Sequence, residues 1–496
     1  MSEEQKQAEN RARPTTDELR AFIRSDWAPR RPTVTEAAPV AVHAAARRGA
    51  LSARFPGERL VVPAGGLKVR SNDSDYVFRP HTAFAYLTGL GADREPDAVL
   101  VLEPLEDGGH ESVLYFRPLA DRDSDEFFAD ARYGEFWVGA RPSVEDVELE
   151  LGLTGRHVDG LVDAVAKDAG EVTVRVVRDA DHELTARLDA ARVENGAEQE
   201  GLEEADEVLG HAASHARMVK DDFEVEQMRQ AVAATHEGFE AMIAALPNAV
   251  GNGRGERWLE GTFGLTARHR GNGVGYDAIC AAGDHANTLH WIKNTGDVSE
   301  GELVLIDAGV EVDSLYTADI TRTLPVDGTF TDAQREIYDA VYAAQEAGMA
   351  AVKPGNTFSD VHAAAIRVVA EHLHAWGLLP EGVSVEDTLD PEHGQYHRRW
   401  MVHGTSHHLG LDVHDCARAT RAEYMDAELR PGMILTVEPG LYFKADDLKA
   451  PERFRGIGVR IEDDVLVTED GCENLSDAMP RTSADVEAWV QRLQRR

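Results

Sequence analysis

A chain of 496 residues is longer than one ordinary hydrophobic core organises, so two domains are expected, and an apolar share of 43% is ample to build them. With 51 basic and 89 acidic residues the net charge is −38, which argues against nucleic acid or an anionic membrane as a partner. No long apolar run marks a membrane span, and the three scattered cysteines, Cys280, Cys416 and Cys472, do not make a disulfide framework; a reducing cytoplasm fits them.

Residues 1–31 are polar and lack the apolar core of a secretory signal. They are expected as a mobile arm, with a short helix around Asp17–Ser25 as the alternative. Apolar runs at Leu60–Val62, Ala98–Leu102, Val113–Phe116 and Val172–Val176 read as strands of a sheet covered on both faces. Helical stretches such as Leu184–Val193 lie between and after them. This is the pattern of an α/β N-terminal domain, expected over residues 32–215. Gly196–Gly210, rich in Glu, Asp and Gly, reads as a loop or solvated helix near its end.

From Lys220 the pattern changes. Val225, Met228, Val232, Phe239 and Met242 recur at helical spacing through Asp221–Leu246. A Gly-, Ala- and His-rich stretch, Gly271–Leu289, leads into the strand Leu303–Ile306, which ends at Asp307. A turn near Asp313-Ser314 returns the chain through Tyr316–Leu324. In a hairpin centred on residue 313, Asp307 and Asp319 are expected as cross-strand neighbours on one face. Two like charges so placed repel, which argues for a cation between them. Thr331–Gln334 is a capping-box signature, and Lys353-Pro354-Gly355 ends the helix it opens. A second helix is expected over Phe358–Trp376, then a polar loop, Pro380–Arg399. Helices followed by carboxylate-bearing antiparallel strands thus occur twice, which predicts an α+β C-terminal domain over residues 216–496 with a pseudo-twofold repeat.

The chemistry concentrates after that loop. His403–Asp415, H-G-T-S-H-H-L-G-L-D-V-H-D, places His403, His407, His408 and His414 within twelve positions. Glu438 in T-V-E-P-G and Glu462 in V-R-I-E-D are isolated charges on apolar strands. Each alone has a bland reading. An aspartate at a strand end usually forms a turn, Glu438 before Pro-Gly could open one, a single histidine usually lies on the surface, and Cys416 is a small residue suited to burial. Together, Asp307, Asp319, His407, Glu438 and Glu462 carry about −4, which two divalent cations balance. Oxygen-rich ligation with one imidazole suits manganese, cobalt or iron better than a thiolate-type zinc site. Two such ions lower the pKa of a shared water and polarise a carbonyl, tools that fit hydrolysis of an amide.

The pieces L-V-L-I-D-A-G, D-I-T-R-T, H-G-T-S-H-H-L-G-L-D-V-H-D, T-V-E-P-G-L-Y and G-V-R-I-E-D resemble, in order and spacing, aminopeptidase P of the pita-bread metallopeptidases. The likeness runs from Lys220 to Ser476, and more weakly through Asn72–Gly89 to that family's non-catalytic domain. It implies a pita-bread catalytic domain holding two divalent ions, manganese foremost, with cobalt, iron or zinc as alternatives. It implies that Asp307 binds one ion, that Asp319 and Glu462 bridge the two, and that His407 and Glu438 complete the other's shell. A hydroxide bridging the ions is the implied nucleophile, and Glu438 takes the proton from the bridging water. His290 contacts the substrate, His414 stabilises the tetrahedral intermediate or moves a proton, and His403 faces the proline side. Arg460, two positions before Glu462, is expected to hold a ligand carboxylate. Asp307 and Asp319 are twelve apart where the family has eleven, which leaves the turn shape near Val312–Leu315 open.

The expected activity is removal of an N-terminal residue from peptides with proline second. Prolidase, which cleaves X-Pro dipeptides, is the alternative, and an inactive pita-bread binding protein a further one. The large N-terminal domain argues against methionine aminopeptidase, and the ligands argue against creatinase. The family also implies a homo-oligomer, a dimer or tetramer.

Overall fold

The computed structural model describes residues 15–495, Asp107 excepted. Residues 1–14 of the expected arm lie outside the described residues. The chain divides into two compact units. The first takes in described residues up to Lys68, with Glu95–Arg175 and Asp179–Gln199; the second takes in Val69–Arg94, Val176–Arg178 and the chain from Glu200 onward.

The first unit opens with helix α1 (Asp17–Arg24), whose N-terminus is capped by the Thr16 hydroxyl. The segment after it is held in place. Trp27 meets Phe127 and Phe136 edge to face, and Arg30 pairs with Glu135 at 2.6 Å. The sheet consists of β1 (Arg59–Pro63), β2 (Val99–Pro104), β3 (His110–Phe116), β4 (Thr154–His157) and β5 (Val174–Val176), in the order β4-β3-β2-β1-β5. β1–β2 and β2–β3 are antiparallel, and β3–β4 is parallel. Every residue of β1 is buried, as a strand covered on both faces requires.

In the second unit, α2 (Asp222–Gly251) starts at a capping box made by Asp221 and Glu224. Its buried stripe runs through Met228, Val232, Thr235, Phe239, Met242 and Leu246, and it packs on α3 (Gly255–Arg270). A three-stranded sheet follows: β6 (Ile279–Ala282), β7 (Leu303–Ala308) and β8 (Ile320–Pro325), with β7 in the middle. The plan then repeats. α4 (Asp332–Ala351), opened by the Thr331–Gln334 box, packs on α5 (Phe358–Ala375). The polar loop beyond it contains a short helix, Val385–Leu389, and a 3-10 turn, Tyr396–Arg399. The second set of strands comprises β9 (Ile434–Val437), β10 (Gly440–Phe443), β11 (Ile457–Arg460) and β12 (Asp463–Val467). Two helix pairs each followed by antiparallel strands make the α+β domain with its pseudo-twofold repeat.

β9 pairs with β12 up to Val437↔Asp463, and β10 pairs with β11 from Gly440↔Arg460. One register runs through both ladders, so the two are halves of one long hairpin broken in the middle. Glu438 and Glu462 face each other across the break, where the Ile461 N–H to Pro439 O bond, at 3.4 Å, spans the strands. The break frees both glutamates from the alternation of a regular strand.

Behind the break lies a fully buried ion pair. Arg322 on β8 donates through Nη2 to Asp463 Oδ1 at 2.7 Å, and both side chains are 0% exposed. The other guanidinium protons go to the carbonyls of Thr321, Glu462, Met479 and Pro480. Arg322→Leu would leave Asp463 with only the more distant Arg481 Nε, 3.7 Å from its Oδ2, as a cationic partner. We expect a loss of ~3–5 kcal/mol, read as a lower midpoint in urea unfolding followed by tryptophan fluorescence. An unchanged midpoint would show that Gln345 and Ser476, which also bond Asp463, suffice to hold it.

Candidate metal centre

The two aspartates come from β7 and from the approach to β8. Asp307 pairs with Thr321, not with Asp319, so the expected direct cross-strand pairing is corrected by two residues. The hairpin is centred on Ser314: Val312 N–H bonds Tyr316 O around Asp313–Leu315, and Leu315 closes this three-residue turn at φ 73°. Asp319 therefore lies diagonally from Asp307 but on the same face. The chain between them must come close: a Cβ on Gly309 would fall 1.6 Å from Ala318 O.

The histidine segment docks on β9. His407 O accepts from Thr436 N–H at 2.9 Å, Glu438 N–H bonds Thr405 O at 2.8 Å, and His408 bridges to Leu435. These bonds bring His407 to the hairpin break. Ligand atoms of Asp319, His407 and Glu462 lie within 4.8 Å of one another, a group able to coordinate divalent metal ions. His407 Nε2 is 3.3 Å from Asp319 Oδ2, 3.7 Å from Glu438 Oε1 and 4.0 Å from Glu462 Oε1. Asp307 and Glu438 flank the group.

Electrostatics test whether cations fit here. Burial, and then the neighbouring Asp307 charge, push the Asp319 carboxyl up. Glu462 is pushed well up by burial and by Asp319 and Glu438. Burial raises Glu438 from the ordinary 4.5 to about 7, with Asp319 and Asp307 adding to it against the pull of His407 and Arg460. Burial alone would depress His407, but its hydrogen bond to Asp319 and the charges of Asp319 and Glu438 hold it up at about 9. The donor set is thus short of positive charge and holds protons instead. Divalent cations fit a buried set of carboxylates and imidazole of this kind.

A network behind the set was only partly visible in the sequence. Tyr276 donates its hydroxyl proton between Asp307 Oδ1, at 2.6 Å, and Asp319 Oδ1. Arg460 Nη2 donates to Asp307 Oδ2 at 2.6 Å, Nη1 to the Tyr442 hydroxyl at 3.1 Å and Nε to Thr321 Oγ1 at 3.2 Å. Thr321 in turn donates to Glu462 Oε2 at 2.7 Å. His403 Nδ1 lies 2.6 Å from Gly404 O, and its Nε2 lies 2.7 Å from the Tyr442 hydroxyl. Burial and Arg460 hold His403 down at about 3, so it is a neutral ring that donates at Nδ1 and accepts at Nε2. One chain of bonds therefore links His403 through Tyr442 and Arg460 to both carboxylate hairpins. Thr321 and Tyr442 sit inside quoted motifs, D-I-T-R-T and T-V-E-P-G-L-Y; Tyr276 lies in the Gly-, Ala- and His-rich stretch Gly271–Leu289, where no pattern set it apart from its neighbours.

The remaining histidines separate. The His414 ring stands edge-on to His407, centroids 4.5 Å apart, and its side chain is exposed. His290 is also exposed and lies within electrostatic reach of both His403 and His414. His408 is buried, stacked on Phe358 and edge-on to Tyr424, so its role is packing. Cys416 is buried in the apolar cluster with Leu435 and Val437.

Comparison with known proteins agrees with this geometry. The model of "Metallopeptidase family M24" matches residues 226–469, and that of "Aminopeptidase P, N-terminal domain" matches residues 44–173. The chain is 50% identical to Xaa-Pro aminopeptidase 1 of Streptomyces coelicolor over 478 residues, 96% of this chain and 93% of the relative. It is 35% identical to the Xaa-Pro aminopeptidase of Escherichia coli, covering 90% of this chain and 96% of that one. Among solved structures, E. coli aminopeptidase P with the inhibitor Pro-Leu superposes with a TM-score of 0.78 at 29% identity, covering 93% of this chain and all of that chain. Pseudomonas aeruginosa aminopeptidase PepP gives the same TM-score, 0.78, at 29% identity over 93% of this chain.

Proposed function

The chain belongs to metallopeptidase family M24, in its aminopeptidase P branch, and from that we infer that it is a metal-dependent hydrolase of the X-Pro peptide bond, releasing the N-terminal residue when proline is second. The observation that carries the reading is the convergence of Asp319, His407 and Glu462 at a hairpin break, flanked by Asp307 and Glu438. These five residues would hold the metal. Two divalent ions, manganese by preference for this oxygen-rich set, would neutralise the carboxylates, polarise the scissile carbonyl and acidify a water.

The chain's own groups account for the rest. Glu438, whose Oε1 lies 3.7 Å from His407 beside the donor set, takes the proton of the attacking water and can give it up to the leaving nitrogen. Tyr276 and Arg460 fix the orientation of Asp307 and Asp319 through the hydrogen bonds described above. His414 and His290 reach the carbonyl side from the solvent-facing edge of the centre. His403, a neutral ring locked by Tyr442 and Gly404, stands beside the proline ring. The X-Pro amide nitrogen carries no hydrogen, so this side of the site recognises shape rather than an N–H.

A tripeptide X-Pro-Y and the dipeptide X-Pro, assayed in parallel with and without added manganese, test the reading. Manganese-dependent release of X from the tripeptide is expected. Hydrolysis of the dipeptide alone would make the protein a prolidase, and no cleavage of either would leave a binding role. No helix among the described residues is long and apolar enough to cross a membrane.

A further inference from the structure

The stretch Leu411–Asp415, which presents His414, is held at both ends by ion-paired aspartates. At one end Asp415, 1% exposed, accepts from Arg217 Nε at 2.9 Å and Lys220 Nζ at 3.0 Å, themselves buried. That anchor is packed so closely that a Cβ on Gly410 would lie 2.5 Å from Asp415 Oδ2 and 2.9 Å from Lys220 Nζ. At the other end Asp412 Oδ1 accepts from Thr82 Oγ1 at 2.7 Å and lies 3.3 Å from Arg79 Nη1. Arg79 makes two further bonds, from Nη2 to Leu411 O at 2.5 Å and from Nε to Glu311 Oε2 at 2.8 Å. Glu311 lies on the hairpin that carries Asp307 and Asp319, pairing with Thr317 just before the turn closes. One guanidinium therefore ties the aspartate hairpin to the histidine loop. Arg79 and Thr82 belong to Asn72–Gly89, a motif far from the site in sequence that the hydrolytic chemistry leaves unused. Val69–Arg94 clusters with the unit that carries the centre.

We propose that Arg79 is a positioning residue for His414, setting the loop against the carboxylate hairpin so that the imidazole meets the reacting carbonyl. The proposal rests on the reading that His414 acts on the substrate. A guanidinium suits the task because its planar fork meets Asp412, Leu411 O and Glu311 at once, which a single ammonium cannot. Gly410 precedes the loop and the His414 side chain is exposed, so the anchors at Asp412 and Asp415 govern where the imidazole stands. Small misplacements of a catalytic group are enough to slow a reaction strongly.

The test is steady-state kinetics on an X-Pro-Y tripeptide with the manganese-loaded protein. Glu311 keeps its bond from Asn272 Nδ2 and the Arg79 side chain is 37% exposed, so Arg79→Gln should fold with an unchanged far-UV spectrum, and its melting temperature is read alongside the kinetics. It is expected to lower kcat ~10-fold with KM within ~2-fold, since the group it places acts in the transition state. Arg79→Lys should recover part of the loss, and Thr82→Val should give a smaller change in the same direction. On a His414→Ala background, Arg79→Gln should cost nothing further, because the two act through one group. Losses that multiply on that background, or an Arg79→Gln variant with undiminished kcat while His414→Ala is slow, would overturn the proposal. Full activity of His414→Ala by itself would overturn both the proposal and the role assigned to His414.

Discussion

Glu438→Gln is expected to reduce kcat by ~10²–10⁴-fold with KM little changed. The substitution keeps the size and one oxygen of the side chain but removes its ability to take a proton. Glu438 Oε1 is 3.7 Å from His407 and its Oε2 is 3.6 Å from His403. Its backbone is fixed by the Thr405 carbonyl, so the amide should occupy the same place. Without bound ions, burial and the neighbouring aspartates raise its proton affinity, so this carboxylate readily binds a proton. Metal content measured on the same preparation separates loss of the acceptor from loss of the ions. A metal-replete Glu438→Gln enzyme with wild-type kcat would remove Glu438 from this role.

The second large effect is on metal removal, and it has a pH signature. Treatment with a chelator should abolish peptide cleavage, and added manganese should restore it. In the stripped protein Glu438 has a folded value near 7 against an ordinary 4.5. The folded state therefore binds the extra proton, and the associated stability is fully present below pH 4.5 and lost as pH rises through 7. His407, raised from 6.5 to about 9, contributes stability that is present below 6.5 and lost as pH rises through 9. Above pH 7 the depressed His403 and His408 are neutral whether folded or not, so the raised groups set the trend and the metal-free protein should melt at progressively lower temperature from pH 7 to pH 9. Cations replace the protons, so manganese should raise the melting temperature most at the alkaline end. Melting curves with and without manganese that stay parallel across this range would contradict the charge balance assigned to the centre.

Much of the architecture was legible because it follows from periodicity. The strands around Leu60, Val99, Val113 and Val174, the capped helices beginning at Asp222 and Asp332, and the doubled order of helices and strands each express a local rule. The expected cross-strand pairing of Asp307 with Asp319 was off by two because turn geometry, not symmetry of spacing, sets a hairpin register, and Leu315 in a left-handed conformation shifts the centre to Ser314. Glu438 and Glu462 read as strand residues, but they occupy the break in a hairpin that pairs on either side of them. That break depends on where two distant segments meet, and neither segment alone encodes it.

Residue type and order along the chain already hold the makings of this centre: two aspartates at the ends of apolar strands, a histidine-rich glycine loop, and two isolated glutamates. Charged groups among apolar residues carry their own signal, since burying them unpaired is costly. Which of them meet depends on how the folded chain brings distant segments together. It selected His407 from four close histidines by docking the loop on Thr436, buried His408 against Phe358, and placed Tyr276 between the two aspartates. It also brought Arg79 from more than three hundred residues away onto Asp412 and Leu411. Hydrogen bonds and ion pairs of this kind form between side chains whose separation in sequence carries no period, so only the folded chain shows them.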